Sequence, residues 1–584
     1  MNTVLEAREP SARYLAALEP PLLKQFDLIA SAPKGVAQLR ELILMLAVQG
    51  KLVAQNSNDE PASVLLERIR GEKVRLVKEG KIKKDKPQAE IEEEEKPFGL
   101  PEGWEWARLG QIASRVQYGY TASADHSVPS PKLLRITDIQ NDRVNWASVP
   151  GVEAAQQDLS GYFLESGDLL IARTGGTIGK TFLVTSAPVC SVFASYLIRV
   201  SPLSGVLPSY LKTFASSAFY WAQLLASSMG TGQPNVNGTA LSELVLPIPP
   251  LAEQSRIVAR VEELMTLCDA LETKGKLEAE QHARLVGSLF ESLANSESAH
   301  ALAETWQRIA THFDQLLDRP AAVDALEQTI LQLAVRGRLV PQDPTDEPAS
   351  ALLQTIRAEK DRLIATGQLK RDKPLPPISD EEKPFELPEG WEWVTLDTLA
   401  QVGTGTTPSR DNPAYFTSGT IPWVTSGETG QTFISATAQH VTKLALGDTN
   451  LTLYPVGTLI VAMYGQGKTR GQISELLIEA TTNQACAGIV LHEQHEDHRA
   501  YVKLFFEKSY DEIRELSAGG AQPNLNVGKV KATPISLPPL AEQSRIVAQV
   551  TELRALCAQL RERLATTSQI QSRLAATLIE MAVA

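Results

Sequence analysis

The chain contains no run of about 18 or more apolar residues, so it offers no membrane-spanning helix. Its 584 residues include only 4 cysteines, and none stands in a C-x-x-C pair. That excludes a zinc ribbon and a disulfide framework, and places the expectation in a reducing cytoplasm. The N-terminal stretch carries Glu6, Arg8, Glu9 and Arg13, which is not the pattern of a secretory leader. Positive charge is also short: 56 Lys and Arg stand against 69 Asp and Glu, a net charge of -13. A chain basic throughout is excluded, so any nucleic-acid partner must be met by local clusters. No Asn-Pro-Pro-Tyr-like motif, G-x-S-x-G, H-E-x-x-H or paired-carboxylate arrangement with a nucleophile is present. No catalytic group and no bound metal is expected.

The bulk of the chain is written twice. Pro249 to Ala259 recurs without change as Pro538 to Ala548. Upstream, Phe26-Asp27, Ala47-Val48 and Asp59 to Ser63 recur as Phe313-Asp314, Ala334-Val335 and Asp346 to Ser350, an offset of 287. Leu100 to Trp106 (L-P-E-G-W-E-W) keeps that offset at Leu387 to Trp393, and the later repeat stands at 289. Each copy of the later repeat opens a predicted long helix. Proline suits a helix start, and Glu253 and Glu542 suit the positive end of its dipole. Apolar residues then recur at three- and four-residue steps: Ile257, Val261, Leu264, Cys268 and Leu271, then Ile546, Val550, Leu553, Cys557, Leu560 and Leu564. That is a coiled-coil-like seam. An ordinary amphipathic core helix shares the period; the duplication favours two elements placed relative to each other.

The repeat predicts a layout. Residues 1–99 form a helical region and linker, 100–250 a mixed domain, 251–386 a central helical region and linker, 387–539 a second mixed domain, and 540–584 a last helix. The linkers, Lys81 to Pro97 and Lys370 to Pro384, read as solvated, loosely ordered acidic strips. Strand-like runs are Asp168 to Ala172, Val192 to Val200, Thr458 to Ala462 and Ala487 to Leu491, with a helix near Tyr210 to Ala226. If the copies share a pseudo-twofold axis, the C-terminal helix packs beside the N-terminal helices.

The doubled arrangement resembles the specificity subunits of type I restriction–modification systems, in the branch with an extended N-terminal conserved region. The residues that carry the resemblance are L-P-E-G-W-E-W, Gly167 to Arg173 (G-D-L-L-I-A-R), Gln233-Pro234-Asn235-Val236-Asn237 and P-P-L-A-E-Q. Leu459 to Ala462 and Gln522-Pro523-Asn524-Leu525-Asn526 stand at the equivalent places of the second copy. The resemblance implies an α+β fold: two similar mixed α/β target recognition domains joined by long antiparallel conserved helices, as a pseudo-twofold internal repeat. Each domain is then expected to read one half of a split site on double-stranded DNA. The helices serve as a ruler and dock two methyltransferase subunits; motor-nuclease subunits join for restriction. S-adenosylmethionine, ATP and Mg belong to those partners, and this chain holds no cofactor. A helix of about 40 residues is roughly 60 Å long, enough to separate two domains along a duplex.

A residue identical in both copies cannot distinguish two half-sites. Trp104/Trp391, Pro234/Pro523 and Asn235/Asn524 are therefore read as scaffold, and the readers are sought where the copies diverge. In the first domain the candidates are Arg115, Tyr118, Tyr120, Thr121, Arg135, Thr137, Arg173, Thr174, Thr177 and Lys180. In the second they are Thr406, Ser409, Arg410, Trp423, Thr425, Tyr464, Gln466, Lys468 and Arg470. These are residue types that read base edges or hold phosphates. Residues 100–250 carry nine Lys/Arg and ten Asp/Glu, and 387–539 ten against fifteen. Phosphate contact thus falls to clusters such as Arg173/Lys180 and Lys468/Arg470.

Two other readings stay open on sequence. Gly179-Lys180-Thr181 and Gly467-Lys468-Thr469 resemble the end of a phosphate-binding loop, and would make the chain a duplicated NTPase; Thr174 and Ala462 stand where that loop needs glycine. A coiled-coil scaffold whose globular domains bind protein is the other. His492, His495 and His498 are read as an exposed polar turn before a helix at Tyr501, with metal binding as the alternative.

Overall fold

The computed structural model describes residues 28–84, 88–153, 159–188, 190–228, 235–296, 298–371, 375–464, 469–510 and 525–583. The chain divides into two compact units, Met1–Glu278 with Thr567–Ala584, and Ala279–Thr566.

Each unit holds a matched pair of helices ahead of its mixed domain, a leading one and a second, Gly35–Val48 and Ala62–Lys78 in the first, Pro320–Val335 and Ala349–Ala365 in the second. Gly50 and Gly337 come after the leading helices with φ of 71° and 67°, a left-handed conformation that ends a helix readily at glycine. The same glycines admit the repeated tryptophans. A Cβ at Gly50 would lie 2.4 Å from Pro101 and 3.0 Å from Trp104; at Gly337 it would meet Pro388 at 2.5 Å and Trp391 at 2.9 Å.

The repeated motifs also find each other across the domain. Strand Glu105–Arg108 pairs antiparallel with Val245–Ile248, and Glu392–Thr395 with Pro534–Leu537. The entry and exit of each mixed domain are thereby clasped. The indole N–H of Trp104 reaches Glu253 at 3.0 Å, and that of Trp391 reaches Glu542 at 2.9 Å. Gln55 and Gln342 donate to the remaining carboxylate oxygens, each at 2.7 Å. Buried carboxylates stay tolerable only when satisfied in this way.

The two seam helices, Leu251–Ala294 and Leu540–Val583, are 44 residues each. In the first unit Ile257, Val261, Leu264 and Cys268 are buried with Ile29, Leu39, Ile43 and Trp104; Ala575 joins that core, with Leu578 and Ile579 against it. In the second, Ile546, Val550 and Cys557 are buried with Leu326 and Ile330, and Val286, Phe290 and Leu293 join them. Ala575 and Ile579 stand 289 residues after Val286 and Phe290. Each unit therefore completes its core with the tail of the seam helix that begins in the other. The C-terminal helix does pack beside the N-terminal helices; Met1 to Asp27 and Ala584 lie outside the described residues.

Within the first domain the strands Ala113–Tyr118, Leu197–Pro202, Leu169–Ala172 and Thr181–Leu183 lie in that order, all antiparallel. The second has Ala400–Thr404, Cys486–Leu491, Leu459–Ala462, Ile473–Leu476 and Phe433–Ile434. The cores differ at one matched rung. Arg199 sits opposite Leu170 and Gly488 opposite Ile460. Arg199 is fully buried, bonded to the carbonyls of Phe163 and Gly161 and paired with Asp168 at 3.4 Å. The Tyr454 ring fills the space that Gly488 leaves, 2.6 Å from where a Cβ would be.

Three expectations are corrected. The predicted strand Val192 to Val200 is broken: Ser191–Phe193 pairs in parallel with Lys132–Leu134, and a turn at 194–196 precedes Leu197–Pro202. The helix near Tyr210 to Ala226 is two helices, Pro208–Phe214 and Ala218–Ser228. The first acidic strip is not loosely held. Buried Arg108 donates to the carbonyls of Ala89 and Glu90 and to both oxygens of Glu95, at 2.8 to 3.0 Å. Its hydrogen bond is the leading reason that the Glu95 carboxyl lies below the ordinary carboxylate range.

Candidate nucleic-acid interface

Antiparallel order puts the end of one strand beside the start of the next. In the first domain Tyr118 pairs with Ile198, Ala172 with Leu197, and Ile171 with Thr181. The chain segments leaving that end of the sheet are 119–131, 173–180 and 194–196. In the second domain Thr404 pairs with Ala487, Ala462 with Cys486, and Val461 with Ile473. The equivalent segments are 405–420, 463–464 with 469–472, and 483–485.

Most first-domain candidates gather here. Tyr118 ends its strand, Tyr120 is bridged to Ala194, and Thr121 comes next, exposed. Arg173, Thr174, Thr177 and Lys180 line the 173–180 segment, with Lys180 exposed. Arg135 is adjacent through the bond from Ala194 N–H to Leu134 O at 2.9 Å. Its guanidinium grips Asp138, and that hydrogen bond raises its pKa above the ordinary arginine value; Thr137 lies in the same short turn of 3₁₀ helix. Arg115 is not with them. It pairs with Ser201 towards the other end of the sheet, 3.7 Å from Glu165.

The second domain gathers Thr406, Tyr464 and Arg470, with Ser409 and Arg410 exposed on the same segment. Thr425 lies close, because Asn483 N–H donates to Val424 O at 3.0 Å; its hydroxyl and N–H are held by Glu428. Trp423 is a correction. It is 1% exposed, packed with Val441, Ala445 and Leu451, and its indole N–H donates to Thr406 O at 3.2 Å. It supports the segment from beneath and cannot touch DNA. Gln466 and Lys468 lie outside the described residues, as do Gln233, Pro234, Gln522, Pro523 and Asn524.

Two residues at this end escaped the sequence reading. Tyr196 is 63% exposed, on the turn that breaks the predicted strand. Gln484 is exposed and its side chain accepts from the Thr407 hydroxyl. Tyr196 falls inside the run read as a strand, which hid it; Gln484 lies between the stretches singled out in the second domain.

The nucleotide-loop reading fails on local structure. Lys180 leads into strand Thr181–Leu183, and Thr469 precedes strand Ile473–Leu476. A phosphate-binding loop of that type must open a helix, whose N–H groups cradle the phosphates. The histidine reading is corrected too. His495 caps helix Glu496–Lys508, while His492 and His498 are buried, His498 bonded to Gln543 at 2.9 Å. Among the described residues no cluster of three or more His, Cys, Asp or Glu could hold a metal, and no helix is long and apolar enough to cross a membrane.

Comparison with known proteins bears on this geometry. The family described as Type I restriction modification DNA specificity domain matches residues 101–281 and 388–567. The EcoEI specificity subunit of a type I restriction enzyme from Escherichia coli is 36% identical over 560 residues, 90% of each chain. The EcoAI specificity subunit, also from Escherichia coli, is 43% identical over 389 residues; the match spans 62% of each chain. A solved chain from a study of type I R-M complex assembly and conformational transition is 20% identical. It covers 83% of this chain and 99% of its own, with a TM-score of 0.46.

Proposed function

We propose, from the premise that this chain belongs to the family of type I restriction–modification DNA specificity subunits, how its surfaces divide the work. The chain is a specificity subunit with two target recognition domains, and catalysis lies with other subunits. In our reading each domain reads one half of a bipartite site in double-stranded DNA through the sheet end described above. The first does so with Tyr118, Tyr120, Thr121, Arg135, Arg173, Thr174, Thr177 and Lys180. The second uses Thr406, Ser409, Arg410, Thr425, Tyr464 and Arg470. The helical framework docks two methyltransferase subunits and sets the gap, and motor-nuclease subunits join for cleavage. S-adenosylmethionine, ATP and Mg act in those partners, in the cytoplasm.

One observation carries this reading. Two sheets clasped by the same motifs end in segments of different sequence, so a common frame presents unlike side chains. That is the arrangement two different half-sites require, because base edges are told apart by side-chain chemistry and the frame only fixes register. Neither domain is strongly basic, so the partners must share the phosphate contacts. Methylation mapping in cells that carry this chain with its partners tests it. The expected motif is bipartite with a fixed gap. Changing Arg173 with Lys180 alters one half only, and changing Tyr464 with Arg470 alters the other. Both halves altered by either pair would overturn the assignment.

A further inference from the structure

We infer that Arg173 reads a guanine in the half-site of the first domain, with Tyr118 and Asn235 as positioning residues. The inference rests on the proposed one-domain, one-half-site reading and deepens it. Arg173 comes directly after the last residue of strand Leu169–Ala172, at the sheet end where the segments gather. Its guanidinium lies over the Tyr118 ring, 4.7 Å from the centroid. The Tyr118 hydroxyl accepts from Gly238 N–H at 2.8 Å, which fixes that ring. Arg173 Nε–H points to Asn235 Oδ1 at 3.4 Å. The backbone is pinned as well: Val236 N–H donates to Arg173 O, and Arg173 N–H to Tyr196 O, each at 3.0 Å.

The guanidinium plane is thus set by a ring on one face and an amide on its inner edge. The two terminal NH₂ groups remain. No carboxylate of the described residues pairs with them, whereas Arg135 grips Asp138 and Arg199 faces Asp168. Two parallel N–H donors on a fixed plane match the O6 and N7 acceptors of guanine in the major groove. A phosphate contact needs only charge, which exposed Lys180 on the same segment supplies without any such orientation. The exposed Tyr196 ring, next to Arg173 through the backbone, extends this surface.

The second domain cannot use the same reader. Its residue after strand Leu459–Ala462 is Met463, which is buried, and Met463 N–H meets Ala485 O where Arg173 N–H meets Tyr196 O. Thr404 ends the strand that Tyr118 ends in the first. Asn235, read from sequence as scaffold because the turn is written in both copies, here holds a reader of the first domain.

The test maps methylation by the complete complex, with wild-type chain, Arg173→Ala, Arg173→Lys and Tyr118→Ala. All three variants are expected to make one G·C pair of one half-site degenerate, with about 10- to 100-fold less discrimination, the range of a lost bidentate base contact. The other half-site stays stringent, which also reports an intact fold. Lysine keeps the charge and loses the fork, so its failure to rescue marks base reading. If Arg173→Lys retains full stringency, or Arg173→Ala lowers methylation of all sites equally with the motif intact, Arg173 is a phosphate contact and the inference is overturned. Should Arg173→Ala abolish methylation altogether, the lysine variant decides. A wild-type motif that is not bipartite would sink the half-site reading itself; a bipartite motif insensitive to Arg173 would sink only this inference.

Discussion

Arg40 donates to Glu272 at 2.9 Å, joining the leading helix of the first unit to its seam helix. The matched pair in the second unit has its charges reversed: Glu327 stands 287 residues after Arg40 and Arg561 stands 289 after Glu272, and Arg561 donates to Glu327 at 2.6 Å. Asp269 strengthens the first pair and Asp324 the second. Apolar seams of nearly equal sequence cannot tell which leading helix belongs to which seam helix. The inverted pairs can, because exchange would face Arg40 with Arg561 and Glu327 with Glu272. Charged flanks choose partners in coiled coils by the same repulsion.

Arg40→Glu is accordingly expected to lower the melting temperature of the first unit by placing Glu beside Asp269 and Glu272. Adding Glu272→Arg should recover part of the loss; the recovery is partial because Asp269 keeps its charge. Replacing residues 36–48 by residues 323–335, which leaves Gly35 in place, should be tolerated only with the same compensation. Equal melting of Arg40→Glu and the double variant would show that the pair selects nothing.

The Trp–Glu clasp gives a second prediction. Trp104→Phe and Trp391→Phe keep an aromatic ring but leave a buried Glu253 or Glu542 oxygen without its donor. An unsatisfied buried acceptor costs about 1–3 kcal/mol, and each variant should lose stability on that scale. Adding Glu253→Gln or Glu542→Gln should offset part of it, since a neutral amide is less costly to strand than a carboxylate. Chemical denaturation of the single and double variants measures this. A loss no larger than for a surface Trp would refute the clasp.

These contacts show what a single sequence can and cannot disclose. Identity between the copies marks Trp104 as scaffold and P-P-L-A-E-Q as the start of a helix, but not that Trp104 and Glu253, 149 residues apart along the chain, meet. Direction was hidden. Polar and aromatic residues in a divergent segment look alike whether they face out, as Tyr196 does, or in, as Trp423 does. Arg115 was grouped by its neighbours in sequence, yet three residues along a strand carry it about 10 Å from Tyr118. His498 looked solvated because its neighbours are charged, but it lies on the inward face of helix Glu496–Lys508, where Gln543 receives it.

The buried histidines set a third prediction, in pH. Burial pushes His492 down from 6.5 to about 4; Lys360 acts in the same direction, while Asp397 and Glu359 oppose. Burial also lowers His498, against the Gln543 hydrogen bond and Glu493, with His495 adding to the lowering. Both are neutral in the fold, with folded pKa values below the unfolded one. The contribution of His492 is complete above about 6.5 and is lost as pH falls through about 4, and that of His498 is lost in the same direction. Buried Glu542 acts with the opposite sign: burial raises its pKa, so its contribution is present below the ordinary carboxylate range and fades as pH rises through the raised value. Hydrogen-exchange protection, taken relative to the intrinsic amide rate at each pH, should fall between pH 6.5 and 4 more in helix Glu496–Lys508 than in Pro208–Phe214, which has no buried histidine beside it among the described residues. His492→Leu should flatten that dependence; an unchanged profile would remove His492 from the account.

The last prediction concerns spacing. In helix Leu251–Ala294 the core contacts of the first unit end near Leu271 and those of the second begin at Val286, and residues 273–281 between them are exposed. Helix Leu540–Val583 also contributes to both cores, with Leu564 the last contact in one and Ala575 the first in the other. Four residues inserted after Lys276, with four more after Ala565, leave every core contact and the Arg40–Glu272 pair in place. They lengthen each helix by about 6 Å and turn it by about 40° beyond a full rotation. Six ångströms is close to two steps of about 3.4 Å along a duplex strand. If the helices act as the ruler, methylation mapping should return the same half-sites with a gap longer by one or two base pairs. Two residues at the same places would rotate the downstream half of each helix by about 200° and should abolish methylation, because the core faces on either side then point apart. An active four-residue variant with an unchanged gap would show that something other than these helices sets the distance.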